Sequence, residues 1–244
     1  MTSGKPLLLL IESSTFNCSV AISAGDEVID IREKYEKNIH SRLLTSFIEE
    51  LLSENNLSIG ELRGVVVSKG PGSYTGLRIG VMAAKGIVYG ADIPLVAVNT
   101  LKALSYGFNY QKTFGEGELF CPMIDARRME VYYAIFDDKG SMIVNTRAEI
   151  IDEKHFDFVL NHNTVHFFGE NVGKAEPLLV NKENAIFHGA FHPSAAFLAG
   201  PGYELFTRGN YRDPALFEPF YLKDFVPQHP EYKIKEVIRA QKGK

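Results

Sequence analysis

Cysteine is scarce: Cys18 and Cys121 are the only two in 244 residues. Both stand in apolar, strand-like runs and lack zinc-type partner spacing, so they read as buried, reduced thiols rather than as a disulfide framework or metal site. Positive charge is also short. With 26 Lys and Arg against 30 Asp and Glu the net charge is −4, which leaves no broad footprint for a polyanion. Tight, autonomous binding to nucleic acid is not expected, although a local basic patch stays open. No apolar run approaches a membrane span. The first, Leu7 to Ile11, is stopped by Glu12 and is too short for a signal-peptide core. The expectation is a reducing, cytoplasmic location with no membrane partner. Two motifs are missing as well. No Gly-Lys-Ser/Thr follows the glycines, so there is no Walker A loop, and the spacing is wrong for a dinucleotide turn.

What is present centres on Gly70-Pro71-Gly72-Ser73-Tyr74-Thr75-Gly76-Leu77-Arg78. An apolar strand, Val65 to Ser68, runs into it and a helical pattern over 75–89 runs out. Glycines allow positive φ and close approach, Pro71 fixes one φ, and Ser73 or Thr75 can cap the helix. A strand, glycine turn and helix in this order aim N–H groups and a positive helix end at one spot, which suits an anion. The other reading is a tight connection without a ligand, and the residues weigh toward it.

The 45% hydrophobic content supports a proper core, and the length allows one large domain or two small lobes. Leu7–Ile11, Cys18–Ser23 and Val28–Tyr35 read as a β-meander. Helix 41–54 follows, with Ser41 as its N-cap and a wide stripe of Leu43, Leu44, Phe47, Ile48, Leu51 and Leu52. The strand 65–68, the helix after the glycines, the strand 93–98 and a helix at 99–108 complete a first lobe over 1–106. A second meander, 119–124, 130–136 and 142–150, opens a second lobe over 107–226. In each meander the first strand ends in an acid, Glu12 or Asp125, so the order is a weak internal repeat. Later come a short helix at 156–161, strands at 165–169 and 185–191, and a helix over 194–207 broken at Gly200-Pro201-Gly202. Residues 227–244 form a polar tail.

Two lobes that each open on a strand–acid–turn–strand meander resemble the actin, Hsp70 and sugar-kinase superfamily. The glycine signature, Ile11-Glu12-Ser13-Ser14 with Cys18-Ser19-Val20-Ala21, His40-Ser41-Arg42-Leu43-Leu44, Asp125-Ala126-Arg127-Arg128 with Glu130-Val131-Tyr132, and Pro219-Phe220-Tyr221-Leu222-Lys223 resemble the TsaB (YeaZ-type) family. The resemblance implies an α/β fold of two ribonuclease-H-like lobes, of the actin/Hsp70 ATPase-domain type, with mixed sheets flanked by helices. It also implies a part in making threonylcarbamoyladenosine at tRNA adenosine 37. There a TsaD-like subunit carries the transferase site, a TsaE-like ATPase joins, and tRNA is met only through the assembly. Such families are also grouped with M22 glycopeptidases.

In the catalytic relative a metal is held by Asn-His-x-x-x-His. Here the matching run is Asn99-Thr100-Leu101-Lys102-Ala103-Leu104, and neither a hydroxyl nor an isobutyl group replaces an imidazole donor. No catalytic residue, metal or cofactor is therefore expected on this chain; ATP and metal belong to its partners. Glu12, Ser13, Arg127 and Arg128 are left as weak nucleotide contacts, since an Arg fork can bind phosphate. The expected role is a non-catalytic scaffold. Its partner surface would be helices 41–54 and 75–89, through Leu44, Phe47, Leu51, Arg78, Val81, Met82 and Lys85. The rival reading is an M22-type metallopeptidase or independent ATPase; a homodimer is a third. The i, i+4 pairs His162/His166 and His188/His192, and a Ser73–His40 nucleophile, are weighed and set below structural roles.

Overall fold

A computed structural model describes residues 4–110, 114–127, 130–170 and 172–222. Its first sheet contains β1 (Leu7–Glu12), β2 (Asn17–Ala24), β3 (Glu27–Tyr35), β4 (Gly64–Ser68) and β5 (Leu95–Val98), in the order β3-β2-β1-β4-β5. Strands β1, β2 and β3 pair antiparallel, and β4 and β5 join in parallel. The second sheet contains β6 (Leu119–Asp125), β7 (Glu130–Phe136), β8 (Met142–Ile150), β9 (Val165–Gly169) and β10 (Ala185–Phe187), in the order β10-β9-β6-β7-β8. Read from its opposite edge, the second order repeats the first strand for strand. The parallel pairs again are β6 with β9 and β9 with β10. The two ribonuclease-H-like lobes that the resemblance implies are present.

The unbroken apolar runs have a physical reason. Successive side chains of a strand point to opposite faces, and the first sheet is covered on both. Leu9, Ile11, Val20, Val65 and Val67 pack under α1 (His40–Glu54) and α2 (Tyr74–Ala91), with Leu44, Ile48, Leu51, Val81 and Val88. Leu8, Leu10, Ala21, Val66 and Val96 face the other way, onto α3 (Thr100–Tyr110) through Ala103 and onto Ala195, Leu198 and Ala199. In the second lobe Cys121, Met123, Tyr133 and Phe167 pack with Phe156, Val159 and Leu160 around α4 (Asp157–Leu160), and with Leu179 of α5 (Glu176–Leu179). Its other face, Phe120, Ile124, Ala134 and Phe168, packs on Leu101, Leu104 and Phe108. Helix α3 is thus a common wall between the sheets, with Ala103 turned to one and Leu104 and Phe108 to the other.

Three local expectations are corrected. Helix α1 starts at His40 with Ile39 before it and no side-chain cap, so Ser41 is not its N-cap. The chain does not break at Gly200-Pro201-Gly202. A single turn at Ala195–Leu198 runs straight into α6 (Ala199–Thr207), because a proline in the first helical turn removes only an N–H that has no partner there. The second lobe is also not one continuous stretch, 107–226. From Pro193 onward the chain returns to the first sheet. There Asn17 Nδ2 donates to Pro193 O at 2.9 Å, Ser194 Oγ to Glu33 at 2.8 Å, and Ala195 N to Ser19 Oγ at 2.9 Å. Further on, Arg212 bridges to Leu95 at the β5 edge. The polar tail of 227–244 lies outside the described residues. Among those described, no helix is long and apolar enough to cross a membrane.

Candidate functional site

The glycine signature lies where four pieces of chain meet. The turn between β1 and β2 rests directly on the start of α2. Ser73 N donates to Ser14 O at 2.6 Å, and the Ser73 hydroxyl caps the helix by accepting from Gly76 N at 3.2 Å. A Cβ on Gly72 would stand 2.4 Å from Ser14 O, and one on Gly76 2.2 Å from Ser13 O, so both positions demand glycine for close backbone approach. Gly70 O accepts from Thr100 N at 3.0 Å and Lys69 O from Phe220 N at 2.7 Å, which fastens α3 and the late extended segment to the same loop. At this helix start, the chain's own carbonyl and hydroxyl thus occupy two N–H groups that would face an anion. The geometry favours a ligand-free connection over the anion cradle.

Of the residues expected to contact a nucleotide, the two on the first turn are enclosed by the protein. Glu12 and Ser13 are fully buried, so neither reaches a ligand. Glu12 Oε1 accepts from Ser14 N at 2.6 Å, and the hydroxyls of Ser14 and Ser68 face the same carboxyl. Arg127 is exposed with φ +66°, in the left-handed region, and its N–H is held by Asp125 at 3.0 Å. Asp125 also receives Lys174 Nζ at 2.5 Å. Arg128 lies outside the described residues. A phosphate cradle needs free N–H groups on an open turn; the first turn is closed against α2. Glu12 and Ser13 therefore offer no such cradle.

Burial pushes the Glu12 carboxyl up, and pushes Glu170 up as well. Glu170 lies near enough to Glu12 and Asp125 to be felt by both, and takes a His192 contact at 3.3 Å. A carboxyl whose folded pKa is raised contributes stability below its unfolded pKa and loses it as pH rises through the folded value. Glu12→Gln, which retains an acceptor for Ser14 N–H, is therefore expected to raise Tm at pH 7. The gain should vanish below about pH 4, where an unfolded glutamate is itself protonated. Thermal melts at both pH values check this; a gain that persists unchanged in acid contradicts it.

The remaining candidates fall out plainly. Thr100 and Leu104 are fully buried, and Leu104 belongs to the core between the lobes. Asn99 caps α3, accepting from Leu101 N at 2.9 Å and Lys102 N at 3.1 Å. These residues do not fit a metal site. The i, i+4 histidine pairs are not brought together as pairs. Instead His166 meets His188 across β9 and β10 at 2.7 Å, with Glu118 at 3.1 Å on its far side. His40 is buried and contacts Asn17 O at 3.4 Å, while the Ser73 hydroxyl is taken by its own helix.

The expected partner surface is corrected more sharply. Leu44 and Val81 are 1% and 2% exposed, and Leu51 is wholly buried; all three belong to the core under the first sheet and have no surface to offer. Phe47 is half-buried against that core. The outer side of α1, with Ser41, Arg42, Thr45, Glu49, Glu50 and Ser53, is polar. On α2 the exposed face carries Thr75, Arg78, Met82, Gly86 and Tyr89, at helical spacing. Met82 is 64% and Tyr89 87% exposed. Arg78 lies over the Tyr74 ring at 4.6 Å, and Lys85 donates to Phe217 O at 2.9 Å. Tyr89 was not among the sequence candidates; its signal was the same spacing that placed Met82.

Comparison with known proteins gives the same frame. The family model described as "TsaD: tRNA N6-adenosine threonylcarbamoyltransferase" matches residues 34–163, more than half of the chain. A Bacillus subtilis protein named tRNA threonylcarbamoyladenosine biosynthesis protein TsaB is 35% identical over 56% of this chain and 57% of its own. The Haemophilus influenzae protein of the same name is 33% identical over 52% of each. The chain thus spans little more than half the length of these relatives. A Pseudomonas aeruginosa structure described as similar to the peptidase YeaZ superposes with a TM-score of 0.77, over 89% of this chain and all of its own. Its 22% identity makes that a likeness of fold. With the doubled sheet order and a signature whose glycines seat the first hairpin on α2, these matches place the chain in the TsaB (YeaZ-type) family, within the group that the TsaD model describes.

Proposed function

We propose that the chain takes part in forming threonylcarbamoyladenosine at tRNA adenosine 37 as a non-catalytic subunit that supports a TsaD-like transferase. The observation that carries this reading is the contrast between two helices. Helix α3, where a catalytic relative places its metal-binding histidines, is here a buried wall with Thr100 and Leu104 in the core. Helix α2 is anchored at its start by the hairpin turn and presents Met82 and Tyr89 to solvent. An exposed apolar pair on a rigid helix suits protein contact. A TsaE-like ATPase would complete the assembly, and tRNA would be met through the composite surface. A homodimer through the same α2 face is the form in which the free chain would cover it.

The test is reconstitution. TsaD-like and TsaE-like subunits, ATP, a source of the activated threonylcarbamoyl group, and unmodified tRNA are incubated with and without this chain. Modified nucleoside is measured after digestion. Formation should fall at least about tenfold when the chain is left out. Equal formation without it, or modification by this chain with no TsaD-like subunit, would overturn the reading.

A further inference from the structure

A second feature stands apart from the α2 face. Between the end of β4 and the late segment 212–221 lies an open pocket of about 450 Å³, lined by Lys69, Arg212, Phe217, Glu218, Pro219, Phe220 and Tyr221. Two of its walls are cationic. Among the described residues no carboxylate lies within 4.0 Å of Lys69 or Arg212. Lys69 Nζ rests 5.9 Å from the Phe220 ring centroid. Burial and the neighbouring Arg212 both push the Lys69 ammonium down; the two charges repel each other across the pocket.

The position of Lys69 is not accidental slack. Its N–H donates to Val98 O at 2.8 Å and its carbonyl accepts from Phe220 N at 2.7 Å. Arg212 is set by its own N–H to Leu95 O at 2.8 Å. The backbone thus holds two like charges side by side at a half-buried spot, an arrangement that costs free energy until an anion neutralises it. Tyr221 completes the lining, with its hydroxyl against the Arg78 guanidinium. Phe220 and Phe217 supply apolar lining. Glu218, the one acid on the rim, repels an anion and offers an acceptor for a ligand hydroxyl.

We infer that this pocket binds a small phosphate monoester carrying a planar ring, of the nucleoside monophosphate type. Lys69 and Arg212 take the phosphate dianion, and the ring lies against Phe220 and Phe217. Two cations match the two charges of a phosphate monoester, and the volume exceeds what a bare phosphate needs. The inference does not depend on the role proposed for α2.

Calorimetric titration of the full chain with adenosine 5′-monophosphate, adenosine and inorganic phosphate tests it. The monophosphate should bind saturably, with adenosine and inorganic phosphate each at least about tenfold weaker. Lys69→Met and Arg212→Met should each weaken the monophosphate about tenfold, Lys69→Arg should restore most of it, and Glu218→Gln should tighten it about threefold. Melting curves show whether each variant is folded; Glu218→Gln, at an exposed rim position, keeps the test open if a Lys69 variant is not. No saturable binding, equal affinity for adenosine and its monophosphate, equal affinity for inorganic phosphate, or Glu218→Gln binding more weakly than the parent would each overturn the assignment.

Discussion

Gly76→Ala is expected to lower Tm by roughly 6–12 °C, whereas Gly86→Ala, ten residues along the same helix, should raise it. The difference lies in what a methyl group would meet. At Gly76 it would stand 2.2 Å from Ser13 O, a backbone atom that cannot rotate away. Either α2 lifts from the hairpin turn or the turn moves, and the Ser73 N–H to Ser14 O bond goes with it. Overpacking of this kind costs about 3 kcal/mol, and in a chain of this length each kcal/mol moves Tm by roughly 2–4 °C. Gly86 has nothing within 4 Å of a built Cβ and is exposed within the helix, so alanine gains about 1 kcal/mol of helix propensity there. Melting curves of both variants measured side by side decide it; a Gly76→Ala protein as stable as the parent would remove the account of the signature as a packing joint.

The second large contrast separates a core position from a surface one on neighbouring helices. Leu51→Asp places a carboxylate where the parent side chain is wholly buried against Val20, Val65 and their neighbours. The loss of packing and the cost of an unpaired charge together exceed about 4 kcal/mol, and the variant should be found largely unfolded or insoluble. Met82→Asp, at a position 64% exposed, should leave Tm within about 2 °C of the parent. If α2 is the docking face, the same substitution weakens binding to a TsaD-like subunit by at least about tenfold, and adding Tyr89→Asp weakens it further. Calorimetry of the folded variants against that subunit gives the answer; a Met82→Asp, Tyr89→Asp double variant that binds as the parent does would exclude this face.

These two contrasts also mark what the amino-acid order could convey. The doubled meander was legible because its strands are short apolar runs joined by polar turns, and each first strand ends in an acid. Both sheets then follow from the same connection rules. The helix after the glycines was legible from its spacing. Which apolar residue faces outward was not. Leu44, Leu51, Val81 and Met82 are alike in hydrophobicity, and a wide stripe records that one side is buried without fixing its edge. Met82 lies just past that edge; the other three do not. The closed first turn escaped notice because the contact of Ser13 and Ser14 with Gly72 and Gly76 spans some sixty residues of chain. The return of 193–222 to the first sheet was hidden for the same reason, and with it the pocket that joins Lys69 to Arg212.

Helix α3 has a mechanical consequence. Because Ala103 is packed on one sheet and Leu104 and Phe108 on the other, any hinge opening between the sheets would strip one set of contacts and wet a strip of leucine and phenylalanine. Each such side chain brought into water costs about 1.5–3 kcal/mol, so the two halves are keyed together and travel as a single rigid bracket. A partner that leans on α2 would push against the whole molecule at once, and strain applied at one end would be felt at the other.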